Sequence, residues 1–459
     1  MKHITVYSFR KSLMLLFKGF LIAASVGIFY QAYFTYYRQA TFYAKGNYLF
    51  LFFYSAVYVL FLQIYGALRI GKLRLRELAF SNAIALILTN SIAYLVISLI
   101  ARAVLSPVSI LVSTALQTGL GVVLLWAGTS IHSSLYPPVK TVFITGGTLH
   151  DQETAKKFSN GKTRYDICAV IDVGDGIDAI YEAINRYPAA MLGTIEASLR
   201  ERLLAYCFEK GKQFFVLPSM QDIMLHNASQ FFAGDSITYL CRSTGFRPDQ
   251  LLVKRIMDIL FATAGLALGS PIMLLAALAI KVYDGGPVFY RQTRLTRNGK
   301  KFSLVKFRSM VMDAEEATGP VLAEKQDSRI TPVGRVLRSA RIDELPQFFN
   351  ILRGDMSLVG PRPERPELFE QICSEFPQFR YRLKVKAGLT GYAQLYGRYN
   401  TAFEDKVRMD FFYIQQASLL LDLQMIFYTL KVIFMRESTE GVKRGKEIKR
   451  AQLQQEKEV

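Results

Sequence analysis

The sequence predicts a multi-domain membrane protein with a four-helix transmembrane bundle, a doubly wound α/β domain and a second, C-terminal α/β domain. Three observations predict this fold class. Four long apolar runs follow one another near the N-terminus, strand-like runs then alternate with helical stretches, and a fifth apolar run has a proline at its middle. The fifth run indicates that the C-terminal domain also meets the membrane.

Composition favours an integral membrane protein and argues against nucleic acid as a partner. The 459 residues are 51% hydrophobic and carry a formal net charge of +19, with a mean hydropathy of +0.19. A soluble nucleic-acid binder is usually basic but not this apolar. A membrane protein whose basic cytoplasmic parts face anionic lipids or phosphorylated substrates would have both this hydrophobic content and this positive charge. The four cysteines have no close CxxC spacing and are predicted to be reduced.

The first domain, residues 1–135, is predicted to cross the membrane four times. Each apolar run approaches or exceeds the ~20 residues that a spanning helix needs. The runs are 13–34, 48–68, 78–101 and 104–128. Lys and Arg concentrate before the first run and in the loop at 69–76, so the positive-inside rule places both ends of the unit in the cytoplasm.

The second domain, residues 139–235, is predicted to be a doubly wound α/β domain. Strand-like runs alternate with helical stretches, which is typical of a parallel sheet. The strands are expected at 141–145, 166–173, 189–194 and 213–218. The first turn, GGTLHD at 146–151, lacks the G-x-G-x-x-G pattern of working dinucleotide sites. A degenerate nucleotide-binding or regulatory domain and a ligand-free scaffold both remain open.

The third domain, residues 250–445, begins with an apolar helix at 256–282 and is followed by a charged tail at 446–459. Ser270 and Pro271 lie at the middle of this helix, where proline removes a helix hydrogen bond and kinks or breaks it. Positive charges flank the run on both sides, which opposes a full crossing. A re-entrant helix that enters one leaflet and returns satisfies both constraints, and a straight fifth span is the alternative.

Asp343 and Glu344 are candidate catalytic acids. As neighbours they point to different faces, so a nucleophile with a metal or proton partner fits better than a shared-proton pair. Arg338 and Arg341 lie close before them and would keep them ionised. The alternative is that both are acids at the start of a helix, where carboxylates are favoured.

Two further motifs are suited to phosphate. In GPRP (360–363) the prolines stiffen the loop that carries Arg362, and a preorganised arginine can bind phosphate through two hydrogen bonds. Gly388, Gly391 and Gly397 precede Arg398, so the backbone there could approach an anion closely. A plain rigid loop explains GPRP equally well.

From about residue 252 to 444 the chain resembles the bacterial sugar transferase family, the monotopic phosphoglycosyl transferases. Several blocks match in family order: KRIMDI, the Ser-Pro break, GPVFYRQTR, LVKFRSM, RIDELPQFFNILRGDMSLVGPRP and KAGLTGYAQLYGR. The four spans and the α/β domain are similar to those of the large members, which initiate exopolysaccharide or O-antigen assembly. The resemblance implies the bacterial cytoplasmic (inner) membrane, with the catalytic domain on its cytoplasmic face. In similar proteins the α/β domain looks like a degenerate CoA-binding fold.

The resemblance implies a two-step reaction. Asp343 would attack the β-phosphorus of a UDP-sugar, release UMP and form a covalent phosphosugar, which polyprenyl (undecaprenyl) phosphate then attacks. Glu344 would be the partner of Asp343, with Mg²⁺ at the pair. Phosphate or substrate contacts are implied for Lys306, Arg338, Arg362, Arg398 and Asp422, with Asp410 a weaker candidate. A homodimer is also compatible with the resemblance, and the sugar stays open.

Two other function classes are compatible with parts of the sequence. Membrane nucleotide-sugar dehydratases and epimerases combine four spans with an α/β domain, but they need a glycine-rich turn that GGTLHD lacks. A non-enzymatic assembly scaffold would carry an inactive transferase domain. The presence of Asp343, Glu344 and Arg362 argues against that scaffold.

Overall fold

The computed structural model describes most of the chain in two compact units, Met1–Leu217 and Pro218–Val459. The described residues are 2–37, 41–42, 45–159, 165–241, 243, 246–312, 327–397 and 401–433. The predicted charged tail at 446–459 and Arg398 lie outside them.

Four long helices open the first unit. They are α1 (Lys2–Tyr36), α2 (Gly46–Tyr65), α3 (Leu75–Ala101) and α4 (Val108–Leu135). Each is long and apolar enough to cross a membrane. α3 packs against α2 and α4, and α1 packs against α4. The protein is therefore an integral membrane protein, as the apolar runs predict.

Polar side chains are buried between these helices and join them. Tyr58 of α2 donates to Asn82 of α3 at 2.8 Å, and Tyr54 of α2 donates to Asn90 of α3 at 2.8 Å. Asn90 in turn donates to Gln117 of α4 at 2.7 Å. Such bonds contribute on the order of 0.6–2 kcal/mol each between membrane helices. Because polar groups are costly to expose to lipid, the network favours this one packing of the helices.

A four-stranded parallel sheet completes the first unit. Its elements are β1 (Val139–Thr145), α5 (Leu149–Ser159), β2 (Tyr165–Asp172), α6 (Ile177–Arg186), β3 (Ala189–Leu192), α7 (Ala197–Glu209) and β4 (Gln213–Val216). The strand order is β2-β1-β3-β4, and Phe143 pairs with Val170 on one side and Met191 on the other. Residues 142–145 of β1 are buried, so the apolar strand runs predicted here do form the centre of an α/β domain.

The turn after β1 is occupied by a carboxylate of the chain itself. Asp151 is fully buried and accepts hydrogen bonds from the backbone N–H of Thr194 at 3.0 Å and of Gly146 at 3.3 Å, and from the Thr145 hydroxyl at 3.1 Å. In doubly wound sheets that bind nucleotides, phosphate takes this position at the strand-order switch. Because the amides already bind a carboxylate, the arrangement favours a scaffold over a phosphate site at this turn.

The second unit contains the remaining elements. They are α8 (Met220–His226), β5 (Ser229–Ala233), β6 (Ser236–Leu240), α9 (Pro248–Asp284), β7 (Phe289–Leu295), β8 (Lys301–Phe307), α10 (Pro332–Ser339), α11 (Gln347–Arg353), β9 (Ser357–Val359), α12 (Pro366–Glu375), β10 (Gly388–Thr390), α13 (Tyr392–Tyr396), α14 (Phe403–Gln416) and α15 (Leu419–Ile433). β7 and β8 pair antiparallel, and β9 and β10 pair parallel. α9, α11, α14 and α15 enclose the main core, which includes Ile351, Ile414 and Met425.

α9 is one helix of 37 residues that contains both Ser270 and Pro271. The predicted interruption is therefore not a loop, although a kink and a re-entrant path remain predictions. Both ends of the helix contact the same unit. Lys254 forms an ion pair with Asp422 of α15, and Asp284 forms one with Arg308 after β8.

Candidate active site

The two acids lie in a short 3-10 turn, Ile342–Glu344, between α10 and α11. Arg341 begins this turn with φ of 56°, a left-handed conformation that is rare and costly for a residue with a Cβ. The reversal ends the helical path of α10 and starts a new one. The expectation that both acids open a helix is thus only partly met, because the α-helix itself starts at Gln347.

Glu344 and Asp343 have different surroundings. Glu344 accepts a hydrogen bond from Arg362 at 3.1 Å and lies 3.8 Å from the guanidinium of Arg341, with its side chain 14% exposed. In the part of the chain that the structure describes, Asp343 has neither a hydrogen-bond nor an ion-pair partner. One acid is therefore held in place by arginines, and the other is free to react.

The pKa values of the two carboxyls shift in opposite directions. Burial opposes ionisation of Glu344, but Arg362, Lys306 and Arg341 outweigh it and hold the pKa of Glu344 well below its usual range. Burial, together with the charge of Glu344, raises the pKa of Asp343 above its usual range. The carboxylate with the higher pKa is the more basic one, and hence the better nucleophile of the two once it is ionised.

Lys306 reaches the pair from β8. Asn350 of α11 fixes this strand, because its side chain donates to the Ser303 carbonyl at 2.7 Å and accepts from the Val305 N–H at 3.0 Å. Burial, followed by the nearby charge of Arg362, lowers the pKa of Lys306 to about 8. Lys306 is therefore positively charged at neutral pH but close to losing its proton.

The loop that carries Arg362 is held by other arginines. Arg382 donates to the Arg362 carbonyl at 3.0 Å, and Arg294 donates to the Pro363 carbonyl at 3.1 Å. Arg382 is itself in an ion pair with the buried Asp410 at 2.9 Å. Asp410, the weaker candidate from the sequence, thus lies behind Arg362 and supports it through Arg382.

The glycines of the KAGLTGYAQLYGR segment, Gly388, Gly391 and Gly397, lie close to other backbone atoms of the protein. A Cβ at Gly388 would lie 2.1 Å from the Gly360 nitrogen, and one at Gly391 would lie 2.5 Å from the Gly360 oxygen. A Cβ at Gly397 would lie 2.3 Å from the Ala393 oxygen. The expected close approach to an anion is therefore replaced by contact within the protein. Two of these glycines bring β10 against the start of the GPRP loop.

Substituting Gly388 by alanine is expected to lower activity at least tenfold. The added methyl group pushes Gly360 away and shifts Arg362, and displacements of about 1 Å at a site cost up to ~10²-fold. Overpacking also costs about 1–3 kcal/mol of stability. Gly119→Ala is the matched control, because no atom lies within 4 Å of its Cβ position. Turnover and melting temperature of the purified variants check this, and equal turnover in both variants would contradict it.

The structure brings together Asp343, Glu344, Lys306, Arg338 and Arg362. Nη1 of Arg338 is buried and has no hydrogen-bond partner among the described residues, and its charge lowers the pKa of Asp343. Such a donor is suited to a phosphate oxygen. The resemblance implies roles for these same five residues, and those roles remain predictions.

Two further predicted site residues are not among these five. Arg398 lies outside the described residues. Asp422 is 2% exposed, forms the ion pair with Lys254 and accepts a hydrogen bond from Tyr413 at 2.8 Å. None of its described contacts is with Asp343 or Glu344. Its role in substrate binding remains a prediction.

Arg294 and Arg382 were missed by the sequence reasoning. Each supports the backbone of the GPRP loop and pairs with Glu364, at 3.6 Å and 3.8 Å respectively. Arg294 stands in a run of cations that looks like one undifferentiated basic segment, and Arg382 lies in a stretch with no motif of its own. Only their contacts distinguish them from ordinary surface arginines.

The site offers two carboxylates to a metal ion. No group of three or more His, Cys, Asp or Glu side chains with metal-ligand geometry occurs within the described ranges. Mg²⁺ is often bound by one or two carboxylates together with substrate phosphates and water. The donor set therefore fits a Mg²⁺ ion shared with a diphosphate, with Asp343 more available than the arginine-bound Glu344.

Comparisons with known proteins identify the second unit. The model of the family described as bacterial sugar transferase matches residues 249–436. A putative undecaprenyl-phosphate N-acetylgalactosaminyl 1-phosphate transferase of Bacillus subtilis is 50% identical over 133 residues, which are 29% of this chain and 74% of that protein.

Two longer relatives are also similar to this chain. A UDP-N-acetylgalactosamine-undecaprenyl-phosphate N-acetylgalactosaminephosphotransferase of Aeromonas hydrophila is 43% identical over 189 residues, 40% of this chain and 44% of the relative. An undecaprenyl-phosphate galactose phosphotransferase of Salmonella typhimurium is 34% identical over 255 residues, 52% of each chain. The chain thus matches about half the length of these two proteins.

Proposed function

The chain belongs to the bacterial sugar transferase family. We propose that it transfers a sugar-1-phosphate from a UDP-sugar to polyprenyl (undecaprenyl) phosphate. UMP is the other product. The observation that carries the proposal is the asymmetry of the acids, with Asp343 free of partners among the described residues and Glu344 bound to Arg362. The product would start a glycan such as an exopolysaccharide.

The proposed reaction has two displacements at one phosphorus. An oxygen of ionised Asp343 attacks the β-phosphorus of the UDP-sugar, and the bond from that phosphorus to the UMP oxygen breaks. The anionic phosphate of the polyprenyl carrier then attacks the same phosphorus, which releases Asp343 as a carboxylate. Since the acceptor oxygen is already an anion, no general base is required.

The cations of the site suit the charge of this transition state. Lys306, Arg338 and Arg362 lie around the acids and would contact the diphosphate oxygens. Positive side chains that are already in position before the reaction stabilise the developing negative charge, because no group has to reorient during the reaction. A Mg²⁺ ion held by Asp343 and Glu344 would neutralise further charge on the diphosphate.

The pH dependence of kcat/KM is expected to be bell-shaped and narrow. The nucleophile must be ionised and its pKa is raised, so the acid limb lies well above the ordinary aspartate value of 3.8. Lys306 must stay charged, so activity falls as pH rises through about 8. UMP release measured from pH 4 to 10 checks this. Flat activity between pH 5 and 9 would contradict it.

We also propose that α9 is re-entrant and that the active site faces the cytoplasm. A straight crossing would place the Lys254–Asp422 and Arg308–Asp284 pairs on opposite sides of a hydrocarbon core about 30 Å thick. Both pairs join α9 to the same unit. A straight crossing would therefore force the strands and helices of that unit into the hydrocarbon core instead of water. A helix that enters and returns keeps both ends on one face.

Cysteine accessibility would test this topology. Single cysteines at Leu251 and Tyr283, both exposed at the two ends of α9, are expected to react with a membrane-impermeant maleimide only after the cytoplasmic face is opened. A cysteine in the 103–107 loop of the first unit serves as the periplasmic control. Labelling of the Tyr283 position from the periplasmic side would contradict a re-entrant path.

Transfer itself is tested with radiolabelled UDP-sugars, membranes that contain the protein, and undecaprenyl phosphate. The expected result is label in a lipid-linked product and stoichiometric UMP, with the preferred sugar identified from a panel of donors. Asp343→Asn membranes are the control. Absence of lipid-linked label with every donor would reject the proposed function.

A further inference from the structure

A basic cavity of about 220 Å³ lies in the second unit beside the first turns of α9. The function proposed above makes no use of it. Apolar and aromatic side chains form part of its wall, and charged side chains form the rest. The charged residues are Lys254, Arg255, Asp258, Arg297, Lys384 and Lys386.

Two of the cations also hold the structure around the cavity. Lys254 forms the ion pair with Asp422, which offsets its charge. Arg255 donates to the carbonyls of Ile351 and Leu352 at 2.6 and 2.7 Å, where α11 ends. Carbonyl oxygens do not neutralise a guanidinium, so the charge of Arg255 remains.

The other three cations have no acidic ion-pair partner among the described residues. Arg297, Lys384 and Lys386 form no ion pair within the part of the chain that the structure describes. Burial, followed by the charge of Arg255, lowers the pKa of Lys386; Arg297 adds to this effect, and Asp258 and Asp355 oppose it. Asp258 already accepts hydrogen bonds from Ser357 and Leu358. The cavity therefore has an excess of positive charge that an anion would relieve.

The cavity is separate from the catalytic acids. Asp258 precedes Gly269 by 11 residues, which is about 16 Å of helix at 1.5 Å per residue. Gly269 in turn lies against Leu345, the neighbour of Glu344. A reacting phosphate must come within about 3–3.5 Å of its attacking atom. The residues that line this cavity include none of Lys306, Arg338, Asp343, Glu344 and Arg362, so a phosphate held here is not the reacting one.

The size and surroundings of the cavity indicate the kind of ligand. Its volume lies below the ~300 Å³ at which pockets for drug-sized molecules begin, so it suits a headgroup better than a nucleotide sugar. The apolar outer face of α9 begins beside it with exposed side chains. These are Leu251, Leu252, Val253 and Ile256. If α9 is inserted in the membrane, its first turns and the cavity beside them lie at the boundary between lipid headgroups and acyl chains.

We propose that this cavity binds the phosphate of an anionic phospholipid, whose acyl chains lie along the apolar face of α9. The lipid fastens the start of the membrane helix to the catalytic domain. Cations at a membrane surface each strengthen binding to anionic lipid several-fold. The ligand chemistry is a phosphate ester, and a soluble phosphate compound is the competing source.

The test uses the full chain in detergent, titrated with short-chain phosphatidylglycerol and followed by native mass spectrometry. The variant is Arg297→Met with Lys386→Met, which removes two charges and keeps most of the side-chain volume. The matched control, Arg335→Met with Arg380→Met, removes two exposed charges of the same unit away from the cavity. Phosphatidylcholine and inorganic phosphate are titrated in parallel.

The expected result is tenfold or more weaker binding of phosphatidylglycerol by the cavity variant, with the control variant unchanged. UMP release in detergent should be retained in both variants, which separates this result from any failure of the proposed reaction. Equal phosphatidylglycerol binding by both variants, or equal binding of phosphatidylcholine, would overturn the site. Inorganic phosphate binding as tightly as the lipid would overturn the lipid as its ligand.

Discussion

Replacing Asp343 by asparagine is expected to lower kcat for UMP release by about 10⁴-fold or more, with little change in the fold. The amide keeps the size of the side chain but cannot act as an anionic nucleophile, and loss of a nucleophile costs this much in other enzymes. Because Asp343 has no polar partner among the described residues, its loss removes no stabilising contact. We expect an unchanged or higher melting temperature.

The neighbouring acid provides the control for this variant. Glu344→Gln leaves Arg362 and Arg341 without their anionic partner, and bonds to charged groups contribute about 1.5–3 kcal/mol. We therefore expect Glu344→Gln to lower the melting temperature, whereas Asp343→Asn does not. If Asp343→Asn kept more than a tenth of the activity, or if the two variants were equally unstable, the assignment of roles would be wrong.

Arg362→Ala is expected to lower kcat/KM by about 10²–10³-fold. Its guanidinium bonds Glu344 and lies at the site where the diphosphate would bind, and losing one preorganised charge contact typically costs this factor. Arg362→Lys should recover only part of the loss, because lysine cannot form the two parallel hydrogen bonds of a guanidinium. Steady-state kinetics of both variants measure the difference.

The same substitution has a second readout. Arg362 lowers the pKa of both acids, so its removal should move the acid limb of the pH profile to higher pH. A merely structural arginine would reduce activity without moving that limb. An unshifted limb in Arg362→Ala would show that Arg362 does not act electrostatically on the acids.

Much of the fold follows from sequence patterns that are local. Apolar runs of about 20 residues predict the four N-terminal helices, and strand runs such as 141–145 and 213–218 fall within a residue or two of β1 and β4. Proline in α9 marks a position that the structure keeps within one helix, with contacts to the same unit on either side of it at Gly265 and Ala276. The kink and the re-entrant path stay predictions.

The site was predictable in its members but not in its geometry. Lys306 and Arg362 lie 56 positions apart, and no pattern states that β8 and the GPRP loop meet at the acids. Asp343 and Glu344 are neighbours in the sequence, and this alone does not predict which of the two pairs with arginine. That difference depends on the left-handed turn at Arg341, which is a tertiary outcome.

At Gly388 the sequence predicts a close contact but not the group that makes it. A glycine-rich segment predicts close approach of backbone to something, and the sequence does not identify it. In the structure that neighbour is Gly360, so the glycines position Arg362 indirectly. Residue type therefore predicts the space that Gly388 requires, whereas its neighbour Gly360 is known only from the structure.

Trapping the covalent intermediate tests most directly whether Asp343 carries the sugar phosphate. The purified protein is incubated with its UDP-sugar donor and Mg²⁺ in the absence of polyprenyl phosphate, quenched, and analysed by intact and peptide mass spectrometry. We expect one added sugar phosphate, located on Asp343 and removed when polyprenyl phosphate is supplied. An adduct on any other residue, or lipid product formed at full rate by a protein that never carries the adduct, would contradict it.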